Sequence, residues 1–233
     1  MKKKAAEYAS QLESLPVGEA LLWICDEFPG KVVFTTSLGA EDQTLTHMIY
    51  ESKAPVTIIT LDTGRLFPET YELLDITEKK YGLGIKVYFP RTDSVERMVR
   101  EKGINLFYDS IDNRKLCCYN RKVEPLKRAL QGAQAWITGL RKGQSDTRSN
   151  IPLCEWDASY EVFKLNPLAG WTDDQLWSYI RKFKVPYNPL HDRGYPSLGC
   201  QPCTRALLEG EHPRAGRWWW ENDSSRECGL HKK

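Results

Sequence analysis

No apolar run in this chain approaches the roughly 20 residues that span a bilayer. A secretory leader is not expected either. The basic start, Met1-Lys2-Lys3-Lys4, is followed by no apolar stretch, because Glu7, Gln11, Glu13 and Glu19 interrupt it. A surplus of charge of one sign is also missing. The formal net charge is +2, whereas a nucleic-acid binder usually carries a clear excess. There is no internal repeat and no low-complexity linker. Membrane and nucleic acid therefore drop out as expected partners. What remains is 233 residues, 41% hydrophobic and 27% charged, an ordinary composition for one globular domain with its own core.

A disulfide framework is disfavoured as well. The cysteines are Cys25, Cys117, Cys118, Cys154, Cys200, Cys203 and Cys228, an odd number in a chain where no leader is expected. That pattern points to a reducing compartment, the cytoplasm, and to thiols with metal or catalytic roles. Arginines gather near residues 139–148 and 214–217. Clusters of this size suit a small anionic ligand better than a long polyanion.

Residues 5–15 and 18–28 carry helix formers, punctuated by Pro16 and by Pro29-Gly30. Residues 31–36 are a β-branched run that reads as a buried strand. A polar turn at 37–42 leads into helical spacing over 43–51. The alternation continues with a strand at 56–61, a helix at 68–81, a strand at 85–89, a helix at 94–102 and a strand at 133–138. Strand and helix taking turns predict an α/β fold, its mostly parallel central sheet covered by helices on both faces. Residues 163–165 read as an edge strand, and 172–183 as a helix capped by Thr172. His47 falls on a helix and reads as a surface residue; Cys25 reads as core. From residue 184 onward Pro, Gly, Trp and Cys dominate, an irregular C-terminal segment that something else must hold.

Three strand ends carry ligand-type residues. Ser37-Leu38-Gly39-Ala40-Glu41-Asp42 joins a strand to a helix, where backbone N–H groups and the Ser37 hydroxyl can meet an anion. Taken alone the segment is as well an ordinary connection, and it lacks the Gly-Lys-Ser of a Walker A loop. Leu61-Asp62-Thr63-Gly64-Arg65 ends the second strand. Gly139-Leu140-Arg141, followed by Gln144, Ser145, Thr147 and Arg148, ends the fourth. Ligands of open α/β sheets sit beyond such carboxyl ends, so the three together point to a nucleotide.

The vicinal pair Cys117-Cys118 and the distant Cys200-x-x-Cys203 offer four thiolates from two segments. Zinc and an iron–sulfur cluster both remain open on that basis, with a vicinal pair suiting zinc knuckles less well. Buried free thiols are the plainer alternative. Near the end of the chain, Cys228 lies between Arg226 and His231. It is an inert surface thiol unless cationic neighbours lower its pKa.

Together these segments resemble the assimilatory adenylyl-sulfate reductases, the iron–sulfur branch of the phosphoadenylyl-sulfate reductase family. The matching stretches are 37–42, 61–65, CCYNRKVEPL from Cys117, 139–148, YNPLHDRGYPSLGCQPCTR from Tyr187, 216–221 and ECGLH from Glu227. The resemblance implies an adenine-nucleotide α-hydrolase-like, or PP-loop, fold. It implies one [4Fe–4S] cluster held by Cys117, Cys118, Cys200 and Cys203. It implies Cys228 as the nucleophile that reduces adenosine 5′-phosphosulfate to sulfite and AMP, in sulfate assimilation toward cysteine, with thioredoxin or glutaredoxin as reductant. Substrate-binding roles fall on Ser37, Leu61, Lys122, Gly139, Arg148, Arg214, Arg217 and His231. The expected division is a single body over 1–215 and a mobile tail over 216–233 that carries Cys228. Homo-oligomerisation stays among the expectations without a residue to rest on.

One local point stands apart from the resemblance. Cys118 and Lys122 are four apart and would share a helical face. Pro125 disturbs that helix, since its ring clashes with the carbonyl of residue 121, so a kink or a late start is expected there. Two rivals remain. An ATP pyrophosphatase would share the first loop, yet such loops read Ser-Gly-Gly-x-Asp-Ser. A zinc-bearing nucleic-acid module would use Trp218-Trp219-Trp220 with Arg214 and Arg217.

Overall fold

The computed structural model describes residues 1–144, 150–221 and 229–230. A six-stranded sheet has the order β3-β2-β1-β4-β6-β5. Its strands are β1 (Val32–Thr36), β2 (Thr57–Leu61), β3 (Lys86–Tyr88), β4 (Ala135–Ile137), β5 (Cys154–Asp157) and β6 (Val162–Leu165). β1 pairs in parallel with β2 and β4, and β4 with β6; only β5 runs antiparallel to β6 among these pairs. The helices between them are α1 (Lys2–Glu13), α2 (Val17–Glu27), α3 (Ala40–Ser52), α4 (Pro68–Tyr81), α5 (Thr92–Lys102), α6 (Ile111–Cys118), α7 (Glu124–Ala129) and α8 (Asp173–Phe183). The mostly parallel α/β architecture read from the alternating pattern is what forms.

The expectation of an edge strand at 163–165 is corrected. β6 lies inside the sheet, with Val162, Phe163, Lys164 and Leu165 all buried, and the edge is β5. Lys164 disguised it. A lysine is rarely buried unless paired, and here its ammonium meets Glu155 of β5 at 3.0 Å. His47 is corrected in the same way: it is 6% exposed, with Nδ1 2.8 Å from the Tyr179 hydroxyl. Cys25 and Cys154 lie in the core, where burial pushes their thiols up to about 11 and about 12.

The chain gathers into two compact units. The first is formed by Met1–Thr60, Glu69–Lys86 and Gly132–Pro189. Its core packs Phe34 of β1, Ile137 of β4 and Leu165 of β6 against Leu21 and Ile24 of α2 and Leu45 of α3. Helix α8 begins in a full capping box, the Thr172 hydroxyl accepting from the Gln175 amide while the Gln175 side chain accepts from the Thr172 amide. The second unit is formed by Leu61–Pro68, Val87–Gln131 and Leu190–Lys233. Its small core holds Met98, Leu106, Phe107 and Trp218 together with Cys118 and Cys203. Gly216–Glu221 is no loose appendage: Trp218 is 1% exposed and its amide donates to the Cys203 carbonyl.

Candidate active site

In the first unit the ends of β1 and β4 are tied together by one carboxylate. Asp42, in the first turn of α3, accepts the Ser37 backbone N–H and the Ser37 hydroxyl, both at 2.6 Å. The Gly139 amide also donates to it. Leu38 turns the chain with a φ of 61°, unusual for a side-chain-bearing residue, and its amide donates to the Thr36 hydroxyl. A Cβ on Gly139 would lie 2.1 Å from Asp42 Oδ1, so only glycine lets the two loops close. Burial pushes the Asp42 carboxyl up to about 6, against the opposing pull of its Ser37 and Gly139 donors. The Ser37 hydroxyl proton expected for an anion is thus given to Asp42, which leaves that oxygen as an acceptor. Arg141 is committed too, to Glu41 at 3.0 Å and Asp173 at 2.5 Å.

In the second unit Leu61 closes β2, and the turn after it is set by Asp62, whose carboxylate accepts the Gly64 amide at 2.7 Å. The Thr63 carbonyl accepts from Arg121 Nη1 at 2.6 Å. Arg121 comes from the segment that Pro125 was expected to disturb, and the disturbance has a definite form. Between α6 and α7, Tyr119–Val123 makes a π turn, with the Glu124 amide donating to the Tyr119 carbonyl. A wide turn of this kind relieves the clash of a proline ring with the carbonyl four residues back. It also changes the register. Residues that follow are turned relative to a regular helix, and Lys122 lines one recess with both Cys117 and Cys118.

The result is a recess lined by all four of the paired cysteines, Cys117, Cys118, Cys200 and Cys203. Arg65, Arg114, Arg121 and Lys122 line it as well. The Cys200–Cys203 loop is held from three sides. The Gln201 amide donates to the Arg65 carbonyl at 2.8 Å, and the Tyr108 hydroxyl to the Pro202 carbonyl at 2.7 Å. Thr204 bridges to Arg217. Among the described residues no three His, Cys, Asp or Glu side chains are already placed around a single metal ion.

The thiols differ in their proton affinity. Burial raises Cys200, but the Lys122 charge, a hydrogen bond with Thr63 and the charges of Arg217 and Arg121 outweigh it, and the net shift is down. Cys200 Sγ lies 3.3 Å from Thr63 Oγ1. Cys203 is pushed up to about 12, by burial first and by Cys200 beside it. Cys117 is also raised, again chiefly by burial, with Arg121 opposing.

Of the residues singled out in the sequence, Ser37 and Gly139 meet through Asp42, and Lys122 meets the four cysteines. Arg214 is half-buried, with Nη1 3.5 Å from Ser197 Oγ. Arg217 is buried: Nη1 donates to the Leu198 carbonyl at 2.6 Å and its guanidinium lies 4.7 Å from the Trp218 ring centre. Arg148, Cys228 and His231 lie outside the described residues. Sequence reasoning missed Asp42 as the tie, Thr63, Arg121 and the buried pair Arg114–Glu221. Thr63 and Arg121 sat inside motifs already marked. Arg114 gave no signal, because its partner is 107 residues away.

The second unit thus holds a thiol recess ringed by cations, and the first a mostly parallel α/β sheet with ligand-type loops at its strand ends. The phosphoadenosine phosphosulfate reductase domain family matches residues 31–206, and the chain belongs to that family. The adenosine 5′-phosphosulfate reductase of Allochromatium vinosum is 51% identical over 95% of this chain and 88% of its own length. That of Agrobacterium fabrum is also 51% identical, over 87% of this chain and 78% of its own. Among solved structures, the phosphoadenylyl-sulfate reductase of Candida auris in a phosphate complex is 32% identical. It covers 88% of this chain and 98% of its own, with a TM-score of 0.77. Candida glabrata FMN adenylyltransferase, at 15% identity and a TM-score of 0.56 over 97% of this chain and 77% of its own, shares the fold alone. No helix among the described residues is long and apolar enough to cross a membrane.

Proposed function

We propose that this chain reduces adenosine 5′-phosphosulfate to sulfite and AMP in the cytoplasm, by way of a covalent intermediate on Cys228. The observation that carries the reading is the gathering of Cys117, Cys118, Cys200 and Cys203 around one recess with Lys122, in a chain whose half-identical relatives are adenosine 5′-phosphosulfate reductases. The four thiols arrive from two segments and line one recess. Four cationic side chains face it, which suits an anionic iron–sulfur centre. The residues therefore fit one [4Fe–4S] cluster held by those four cysteines. Bound there, the cluster would supply a fixed negative centre and a tie between the two segments.

The chain's own residues carry the reaction. The Cys228 thiolate attacks the sulfur of the phosphosulfate, a sulfur–cysteine bond forms, and the sulfur–oxygen bond to AMP breaks with its electron pair leaving on the phosphate. Arg148, Arg214, Arg217 and His231 offset the repulsion between thiolate and substrate. Lys122 holds the substrate near the thiol recess, and Ser37, Leu61 and Gly139 line the nucleotide. A reduced thioredoxin or glutaredoxin then attacks the Cys228 sulfur and sulfite departs. The second thiol of the reductant closes its own disulfide and frees Cys228. Sulfur gains two electrons and the dithiol loses two.

The test is mass spectrometry after mixing enzyme and substrate with no reductant. An adduct of about 80 Da, one SO₃ group, is expected on Cys228. Its absence, or undiminished sulfite release by Cys228→Ser, sinks the mechanism. Iron and sulfide analysis separates a cluster from zinc, and sulfite release from the 3′-phosphorylated nucleotide measures substrate breadth.

A further inference from the structure

Arg114 is fully buried, and no role fell on it from the sequence. Its guanidinium makes a two-point pair with Glu221, Nε to Oε1 at 2.8 Å and Nη2 to Oε2 at 2.7 Å. The two side chains are 0% and 3% exposed. The same guanidinium lies 4.9 Å from the Trp218 ring centre, and Arg217 lies 4.7 Å from that ring. Arg114 also hydrogen-bonds Cys118, four residues along α6. Beyond the ring, the Trp218 amide is bonded to the Cys203 carbonyl, the Arg217 amide to the Arg214 carbonyl, and the Glu221 amide to the Trp218 carbonyl. One side chain thus touches a cysteine of the first pair and grips the turn that carries Arg214 and Arg217.

We propose that Arg114 and Glu221 are positioning residues that clamp the 214–221 turn to the cysteine helix, so that ligation at Cys118 and the placement of Arg214 and Arg217 depend on one another. The inference rests on the cluster reading given above. Neither residue touches substrate; both act through the turn and through Cys118.

The experiment uses the cluster-loaded full chain and compares Glu221→Gln with Glu155→Gln. The control also breaks an ion pair to a buried cation, Lys164, in the first unit. Two rates are read: loss of cluster absorbance to an iron chelator, and dissociation of adenosine 5′-phosphosulfate, followed in a Cys228→Ser background. Glu221→Gln should lose iron and substrate each at least about tenfold faster, as expected when a buried partner is removed. Glu155→Gln should change neither, even where it lowers the Tm as much. Should Glu221→Gln not fold, Arg114→Lys, which keeps the charge but not the two-point fork, is read by the same criteria. Unchanged iron and substrate rates overturn the clamp, and so do equal changes in the control. A wild-type chain that takes up no iron at all fails the functional reading instead, which keeps the two failures apart.

Discussion

Asp42 offers the sharpest check on the strand-end site. Its carboxyl is buried and pushed up to about 6 from an ordinary 3.8. The native state therefore holds a proton more tightly than the unfolded chain does. Above about pH 6 the buried charge is present and lowers stability; as pH falls through 6 the native carboxyl takes its proton and stability rises, levelling off near the unfolded value of 3.8. At 1.36 kcal/mol per unit the whole gap amounts to about 3 kcal/mol. Between about pH 7.5 and 5.5 some 0.8 kcal/mol of it, on the order of a quarter, is recovered. Asp42→Asn keeps an acceptor for Ser37 and removes the titration. The stability difference between the two proteins, from urea unfolding, should therefore shift by about 0.8 kcal/mol in favour of the wild type over that pH range. The ¹³C shift of the Asp42 carboxyl gives a direct midpoint, expected near 6. A midpoint near 4, or parallel stability curves for the two proteins, refutes the argument that burial outweighs the Ser37 and Gly139 donors.

Two further outcomes follow from the same site. Gly139→Ala places a methyl 2.1 Å from Asp42 Oδ1, and overpacking of that kind should cost about 2–3 kcal/mol in urea unfolding; a loss below about 0.5 kcal/mol would show that the two loops are not locked. Pro125→Ala restores an amide donor and lets the π turn tighten to α register, moving Lys122 off the thiol recess. Stability should stay within about 1 kcal/mol, because this proline sits at the start of α7 where it is tolerated. Yet kcat/KM should fall at least about tenfold, as misplacement of a positioning group does; full activity in that variant refutes the argument that the wide turn aims Lys122.

What the sequence made legible was whatever is local. The hydrophobic runs that bury β1, β2 and β4 are written in consecutive residues, and so is the Thr172–Gln175 capping box. The cysteines announced themselves by spacing. β6 was misplaced because Lys164 looks like solvent-facing chemistry until Glu155 of β5 stands opposite it. His47 was misread for the same reason, its Tyr179 partner being 132 residues away.

The site residues that escaped divide along the same line. Thr63 and Arg121 lay inside marked motifs, but nothing in those motifs said that the Thr63 carbonyl would receive the Arg121 guanidinium. Arg114 stood in no motif, and Glu221 closed the 216–221 stretch without showing what it would pair with. A buried charge pair leaves no periodic trace, since each partner alone looks like an exposed helix or loop residue and only the pair is tolerable inside. The consequence for this chain is specific. The four cysteines stand out in the sequence as a candidate ligand set, whereas the Arg114–Glu221 pair beside Cys118 does not. Substitutions at Arg114, which lies outside every motif, should therefore be among the most damaging in the second unit when they break only its pair with Glu221.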